Sequence, residues 1–282
     1  MKDTQRNIDP EVAAGFGHEW STFRQSEIEF PQVDREAIFQ SYFHIFPWNE
    51  LPPDAVGIDV GCGSGRWSMM VAPRVGHLHL LDASADALAV ARANLCAATN
   101  VSFHLASVGN IPIEDASLDF AFSLGVLHHV PDTAAAIRAI ASKLKVGAPF
   151  LIYLYYALDN RPWWFRLIWR LSNSLRRMIS PLPPKLRLVI SQTIAVIIYL
   201  PLARFAAAVE RAGFSTTHIP LASYRDRNFY VMRTDAYDRF CTRLEQRFTR
   251  EQIEQMLMNA GFDEIRFSDQ VPYWCAVARN RL

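Results

Sequence analysis

An α/β protein with a mostly parallel sheet is the fold class this sequence predicts, and three observations carry it. From Asp54 onward short apolar runs alternate with helical stretches, giving strands near 55–60, 77–81, 101–105, 118–123 and 148–154 and helices near 65–73, 84–97 and 132–145. The first run, Val56 to Val60, leads straight into three alternate glycines, Gly61, Gly63 and Gly65. The second, His77 to Leu81, ends in Asp82, seventeen residues beyond Gly65.

Each observation has a physical reading. Continuous apolar strands suit a sheet covered on both faces, with right-handed crossovers and ligands outside the carboxyl ends of the strands. Alternate glycines allow a tight turn and close backbone approach, and a helix starting near Ser64 would aim its unpaired N–H groups at an anionic group. A carboxylate at Asp82 can accept from both hydroxyls of a ribose. Together these residues form a loop suited to a nucleotide-bearing cofactor.

Composition sets the outer bounds. Half of the 282 residues are hydrophobic, enough for a packed core, and a net charge of +1 argues against a strongly basic nucleic-acid binder. The cysteines at 62, 96, 241 and 275 form no C-x-x-C pair, so neither a zinc site nor a disulfide framework is expected, and a reducing cytoplasm fits. The opening run, Met1 to Pro10, is polar and lacks the apolar centre of a secretory signal.

The spacing Asp-x-Gly-x-Gly-x-Gly from Asp59, the acid at Asp82 and the run from Ser117 to Val130, Ser-Leu-Asp-Phe-Ala-Phe-Ser-Leu-Gly-Val-Leu-His-His-Val, make this chain resemble the class I S-adenosylmethionine-dependent methyltransferases. Its nearest look is to the quinone-biosynthesis-like subgroup acting on small molecules. The resemblance covers 54–156 strongly and 246–279 weakly. It implies a Rossmann-like, mostly parallel seven-stranded sheet with helices on both faces. It also implies an N-terminal helical cap over 1–50, a cofactor-binding core over 51–156, a mainly helical insertion or acceptor lid over 157–245 after the fifth strand, and a closing helix and hairpin over 246–282. The last part shows its own signals: Thr249 as a helix N-cap, Gly261 at that helix's C-terminal end, and a final strand over Gln270 to Ala278.

Carried over position by position, the resemblance assigns S-adenosyl-L-methionine to Asp59, Gly61, Cys62, Gly63, Gly65, Asp82, Ala83, Ser107, Val108 and Ser123. Ser107 stands where the family often has an acidic residue beside the adenine amine. Asp59 and Asp82 also suit a structural acid and a helix cap, and Ser107 also suits a loop hydrogen bond. His128 and His129 follow the fourth strand, where the family faces its acceptor, and either suits a general base or a loop-shaping role. Trp20, Tyr155, Tyr156 and Arg161 are candidates for acceptor binding; Phe16 and Tyr42 could serve the same pocket or simply pack a helix running from about Asp34 to Phe46. No metal is expected.

Residues 156–212 break the α/β rhythm. Between Arg161 and Ala208 stand eight basic residues and no acidic one, a local charge of +8. The uncharged run from Val189 to Ala203 spans fifteen residues and contains Pro201, short for a membrane span. A lid over the acceptor, an amphipathic segment on an anionic membrane through 161–205, and a dimer contact all fit. The expected activity is methyl transfer from S-adenosylmethionine to a small, amphiphilic or lipid-linked acceptor, with oxygen favoured, in the cytoplasm or at the inner face of a membrane. Rival readings are dehydrogenase chemistry, which the glycine spacing disfavours, a non-catalytic scaffold at a membrane, and an RNA methyltransferase. For the last, no Asn/Asp-Pro-Pro-Tyr/Phe motif follows the fourth strand.

Overall fold

In the computed structural model, which describes residues 7–26 and 32–282, Asp9 starts the first helix, α1 (Pro10–Thr22), by accepting the backbone N–H groups of Glu11 and Val12. Pro10 stands at the first turn, where a missing N–H costs nothing. The polar run Met1 to Arg6 lies outside the described residues. Helix α2 (Gln32–Phe43) is the one expected over 34–46. It docks by aromatic contact: Phe43, stacked on Phe39 of the same helix at 4.2 Å, meets Phe122 edge-on at 5.4 Å.

The alternating part follows as β1 (Val56–Val60), α3 (Ser68–Val71), β2 (His77–Asp82), α4 (Ala85–Asn94), β3 (Val101–Leu105), β4 (Phe120–Leu124), α5 (Thr133–Ala141) and β5 (Pro149–Tyr153). Four helices, α6 (Trp163–Ile179), α7 (Pro184–Ile194), α8 (Leu200–Arg211) and α9 (Phe229–Cys241), precede α10 (Arg250–Asn259), β6 (Phe262–Phe267) and β7 (Ala276–Asn280). The seven strands form one sheet in the order β3-β2-β1-β4-β5-β7-β6. β1 to β5 pair in parallel, and β7 enters antiparallel between β5 and β6.

Period-two alternation sends side chains to two cores. Ile58, Val60, Ala121 and Ile152 face a cluster with Ile137, Ile140 and Leu257, while Leu78, Leu80, Phe120 and Phe122 face one with Phe39, Phe43 and Leu88. All five residues of β4 are buried, as a central strand requires. Strand order reverses between β1 and β4, so the crevice at their carboxyl ends is where this topology binds ligands.

Three expectations need correcting. The helix after the glycines begins at Ser68 rather than near Ser64 and holds four residues before a 3-10 turn over Ala72–Arg74, because Pro73 has no N–H with which to continue it. The final strand starts at Ala276 instead of Gln270, since Ser268 and Gln270 are engaged in a turn around the Ser268 hydroxyl. The run near Pro201 is not a break: α7, a π turn over Ala195–Tyr199 and α8 form one helix, Pro184–Arg211, of 28 residues. The wider π turn accommodates a proline whose ring crowds the carbonyl one turn back. By length and composition alone this helix could cross a membrane.

Backbone proximity divides the chain into two units. The larger holds the sheet and includes Arg35–Asp159 and Leu244–Leu282; the smaller includes Asn160–Arg243. Within the smaller unit α6 and α7 pack on α9. Arg176 of α6 donates to the carbonyls of Thr242 and Arg243 at 2.6 and 2.8 Å, and Arg187 of α7 donates to that of Cys241 at 3.1 Å. Polar anchoring from arginine thus closes the ends of this helical layer.

Candidate active site

The glycine loop leaves β1 in a conformation that excludes side chains. Gly61, Gly63 and Gly65 have φ of +80, +55 and +75°, in the left-handed region. A Cβ at Gly61 would come within 2.3 Å of Val126, so the loop after β4 lies directly against this turn. Asp82, at the end of β2, ties the turn down: Oδ2 accepts the Gly63 N–H at 2.9 Å and Oδ1 the Ser84 N–H at 2.8 Å. Ser84, in turn, caps α4 by accepting the Ala87 N–H. Asp82 therefore orients two loops, with the backbone of Ala83 adding a third hydrogen bond to its carboxylate.

Helix α1 completes this cradle. The Trp20 indole lies over Gly63, 2.8 Å from where a Cβ would stand, and Gly17 lets the helix approach Ser84. Gln25 accepts from the Ser64 hydroxyl at 3.0 Å. One turn before Trp20, Phe16 packs on the His129 ring at 4.9 Å. A single helix therefore touches both the glycine loop and the histidine loop. Trp20, expected at the acceptor, belongs to the glycine turn; Tyr42 lies between Trp67 and Tyr153 at 5.5 and 5.2 Å.

The two histidines after β4 are both buried, yet they differ in chemistry. His128 Nδ1 accepts the backbone N–H of Tyr155 at 3.3 Å, so in the neutral ring the proton sits on Nε2, which has no hydrogen-bond partner among the described residues. Burial, with His129 and Arg247 adding, holds its pKa well below the usual value and keeps the ring neutral. His129 is the reverse. Its Nδ1 faces the Leu244 carbonyl at 2.6 Å, which can only accept, so Nδ1 carries the proton and Nε2 the lone pair. Of the two expected bases, His128 is thus a donor, because a backbone N–H occupies its basic nitrogen.

Asp59 is 2% exposed, and the Ser68 hydroxyl donates to it at 2.6 Å. Burial outweighs that bond and, with Asp82 nearby, pushes the Asp59 carboxyl from 3.8 up to about 7. Between those two values the folded protein keeps a proton that the unfolded chain has released, so this group's contribution to stability declines as pH rises and is lost above about 7. Asp59→Asn is therefore expected to melt above the wild type on the alkaline side of that window and to converge with it in acid. Thermal melts across pH check this, and a lower melting temperature at every pH would refute it.

The remaining candidates separate clearly. Ser107 has a buried hydroxyl with no partner among the described residues, and Val108 beside it is buried. Cys62 is buried, and Ala83 adjoins Asp82. Ser123 lies at the expected strand end, but its hydroxyl donates to the Val60 carbonyl at 2.9 Å and so serves the sheet rather than the crevice. Tyr155 stacks on His128 at 3.8 Å, and Tyr156 bridges to Phe248. Arg161 falls in the smaller unit, donating to the Thr217 carbonyl at 2.8 Å.

Sequence reading missed the segment Leu244–Phe248 as part of this region. Besides Leu244 on His129, Gln246 N–H donates to the His128 carbonyl at 3.0 Å, and the Arg247 guanidinium lies 5.2 Å from the Tyr155 ring centroid. No local pattern marks these residues. The described residues include no group of three or more His, Cys, Asp or Glu side chains that could hold a metal.

Comparison with known proteins agrees with this geometry. Residues 58–147 match the family model described as a methyltransferase domain. The chain is 31% identical over 111 residues to phosphoethanolamine N-methyltransferase 2 of Caenorhabditis elegans, covering 38% of this chain and 25% of that one. It is 30% identical over 162 residues to the ubiquinone biosynthesis O-methyltransferase of Idiomarina loihiensis, covering 57% and 65%. The chain therefore spans less than two thirds of the length of these curated relatives. Among solved structures, the YcgJ protein of Bacillus subtilis aligns with a TM-score of 0.49 at 15% identity, covering 83% of this chain and 69% of that one. Strand order, glycine loop and matched stretch agree: the chain carries a class I S-adenosylmethionine-dependent methyltransferase domain.

Proposed function

We propose that this protein transfers the methyl group of S-adenosylmethionine to an oxygen of a small hydroxylated acceptor. The observation that carries the reading is the opposed pair of histidine tautomers, in a loop whose Val126 lies against Gly61. Two features suit the cofactor: a turn in which a Cβ at Gly63 would collide with Trp20, and the buried, unpartnered Ser107 hydroxyl. Asp59, Gly61, Cys62 and Gly63 would hold its amino-acid end, Asp82 and Ala83 its ribose, and Ser107 and Val108 its base.

The bound sulfonium supplies an electrophilic methyl group. Everything else falls to this chain. His129 Nε2 takes the proton of the acceptor hydroxyl as its oxygen becomes nucleophilic, and the Leu244 carbonyl fixes the tautomer that leaves this nitrogen basic. The His128 Nε2–H offers a hydrogen bond to acceptor oxygen, and Phe16 and Tyr155 wall the pair with apolar surface that excludes water. The O-methyltransferase relative supports oxygen over nitrogen as the nucleophile.

The test is S-adenosylhomocysteine production from S-adenosylmethionine with a panel of catechols, hydroxybenzoates and phosphoethanolamine. Turnover with a hydroxylated aromatic, and an O-methyl product by mass spectrometry, is the expected result. Turnover with phosphoethanolamine alone would replace the reading with N-methylation. Failure of the folded protein to bind S-adenosylhomocysteine would favour a non-catalytic scaffold.

A further inference from the structure

Within the smaller unit two helices turn apolar side chains outward. On α6, Trp163, Leu167, Leu171, Leu175 and Met178 recur at steps of four and three, the spacing of one helix face, and Trp163, Leu171 and Met178 are 69, 65 and 70% exposed. The inward face of α6 is mixed: Ile179 is buried beside Arg176, which binds backbone carbonyls, and Ser172 accepts from Arg239 at 2.8 Å. The long helix Pro184–Arg211 buries mainly small side chains and leaves large apolar ones outside. Ser191, Ala195, Tyr199 and Ala203 are buried at four-residue steps, while Val189, Val196, Ile197 and Phe205 stand outside, Ile197 at 65% exposure. A core helix of a soluble protein buries its apolar side chains; only a third of this helix's most apolar window is buried.

Charge identifies what covers these faces. Arg166, Arg170 and Arg177 flank the α6 stripe, and Lys185 and Arg204 stand exposed on the long helix. No acidic residue occurs between Arg161 and Ala208. A second copy of this surface would set cation against cation, whereas an anionic bilayer offers hydrocarbon to the stripe and headgroup phosphate to the arginines. Polar ties to α9 near its N-terminal end hold the long helix back from crossing a bilayer: Arg187 bonds the Cys241 carbonyl, and Arg233 of α9 bonds Gln192.

We propose that the outward faces of α6 and of the helix Pro184–Arg211 seat this protein peripherally on an anionic lipid bilayer, both helices lying in the interfacial plane. This inference stands on the smaller unit alone and is independent of the methyl-transfer reading.

Co-sedimentation of the full chain with vesicles tests it, using phosphatidylcholine alone against equal parts phosphatidylcholine and phosphatidylglycerol. Binding to the anionic vesicles only, weakened by added salt, is expected. Leu171→Glu with Met178→Glu, and separately Arg166→Glu with Arg170→Glu, should each lower the partition coefficient by about tenfold or more. These side chains are exposed, so circular dichroism and S-adenosylhomocysteine binding should match the wild type and report any failure of the methyltransferase domain separately. Wild-type protein left in the supernatant with both vesicles would overturn the proposal, as would unchanged binding by either variant. A concentration-dependent dimer lost in Leu171→Glu, without vesicle binding, would assign the face to a second copy instead.

Discussion

Alanine at position 63 is expected to weaken S-adenosylhomocysteine binding by about tenfold or more, and valine to abolish it. Gly63 sits at φ +55°, where a Cβ carries a penalty of roughly 1–2 kcal/mol in an ordinary residue. That atom would also stand 2.8 Å from the Trp20 indole, so either the turn or α1 must move. Movement of the turn breaks the Gly63 N–H bond to Asp82 and displaces the acid that spans both loops. Since about 1.4 kcal/mol is a factor of ten in affinity, strain alone brings the loss near that size before the collision is added. Gly15→Ala is the internal control, since nothing lies within 4 Å of its Cβ position in α1, the helix that carries Trp20. Calorimetric titration of the three variants decides the matter; wild-type affinity in Gly63→Ala would remove the cradle assignment.

His129→Ala is expected to lower kcat by about a hundredfold to ten-thousandfold, the usual contribution of a positioned general base, with S-adenosylhomocysteine affinity unchanged. Added imidazole should restore part of the rate, a response that loss of a merely structural ring would not give. His128→Ala should behave differently. It removes a fully buried ring stacked on Tyr155 at 3.8 Å and leaves the Tyr155 N–H without its acceptor, so stability falls together with activity, and imidazole recovers little. Equal losses in both variants, with equal rescue, would show that the tautomers do not divide the chemistry. Kinetics with the acceptor identified from the panel, alongside thermal melts, provide both readouts.

The glycine turn and the acid beside it were legible because their signals are local. Three glycines at alternate positions demand a backbone that other residues resist, and a strand ending in an acid places a carboxylate beside that turn. Thr249 with Gln252 closes a capping box within four residues, so the start of α10 was equally plain. Other readings failed where a distant partner decides. Ser123 faced the right strand end, yet the Val60 carbonyl of a neighbouring strand claims its hydroxyl. Trp20 carried no mark of its place over Gly63, and Leu244 and Gln246 read as the end of the insertion and the start of the closing segment although they contact the two histidines. The helix through Pro201 read as interrupted, because proline's local cost is visible in a sequence and the π turn that relieves it is not.

The sequence by itself determined the parallel sheet, the glycine turn and the paired acids, since strand periodicity and left-handed glycines depend on residues a few positions apart. Tertiary structure alone decided which histidine is basic and which faces of α6 and the long helix stand outward. Both depend on partners far along the chain: the Tyr155 N–H and the Leu244 carbonyl set the histidine protons, and packing on α9 selects the side of each helix left open.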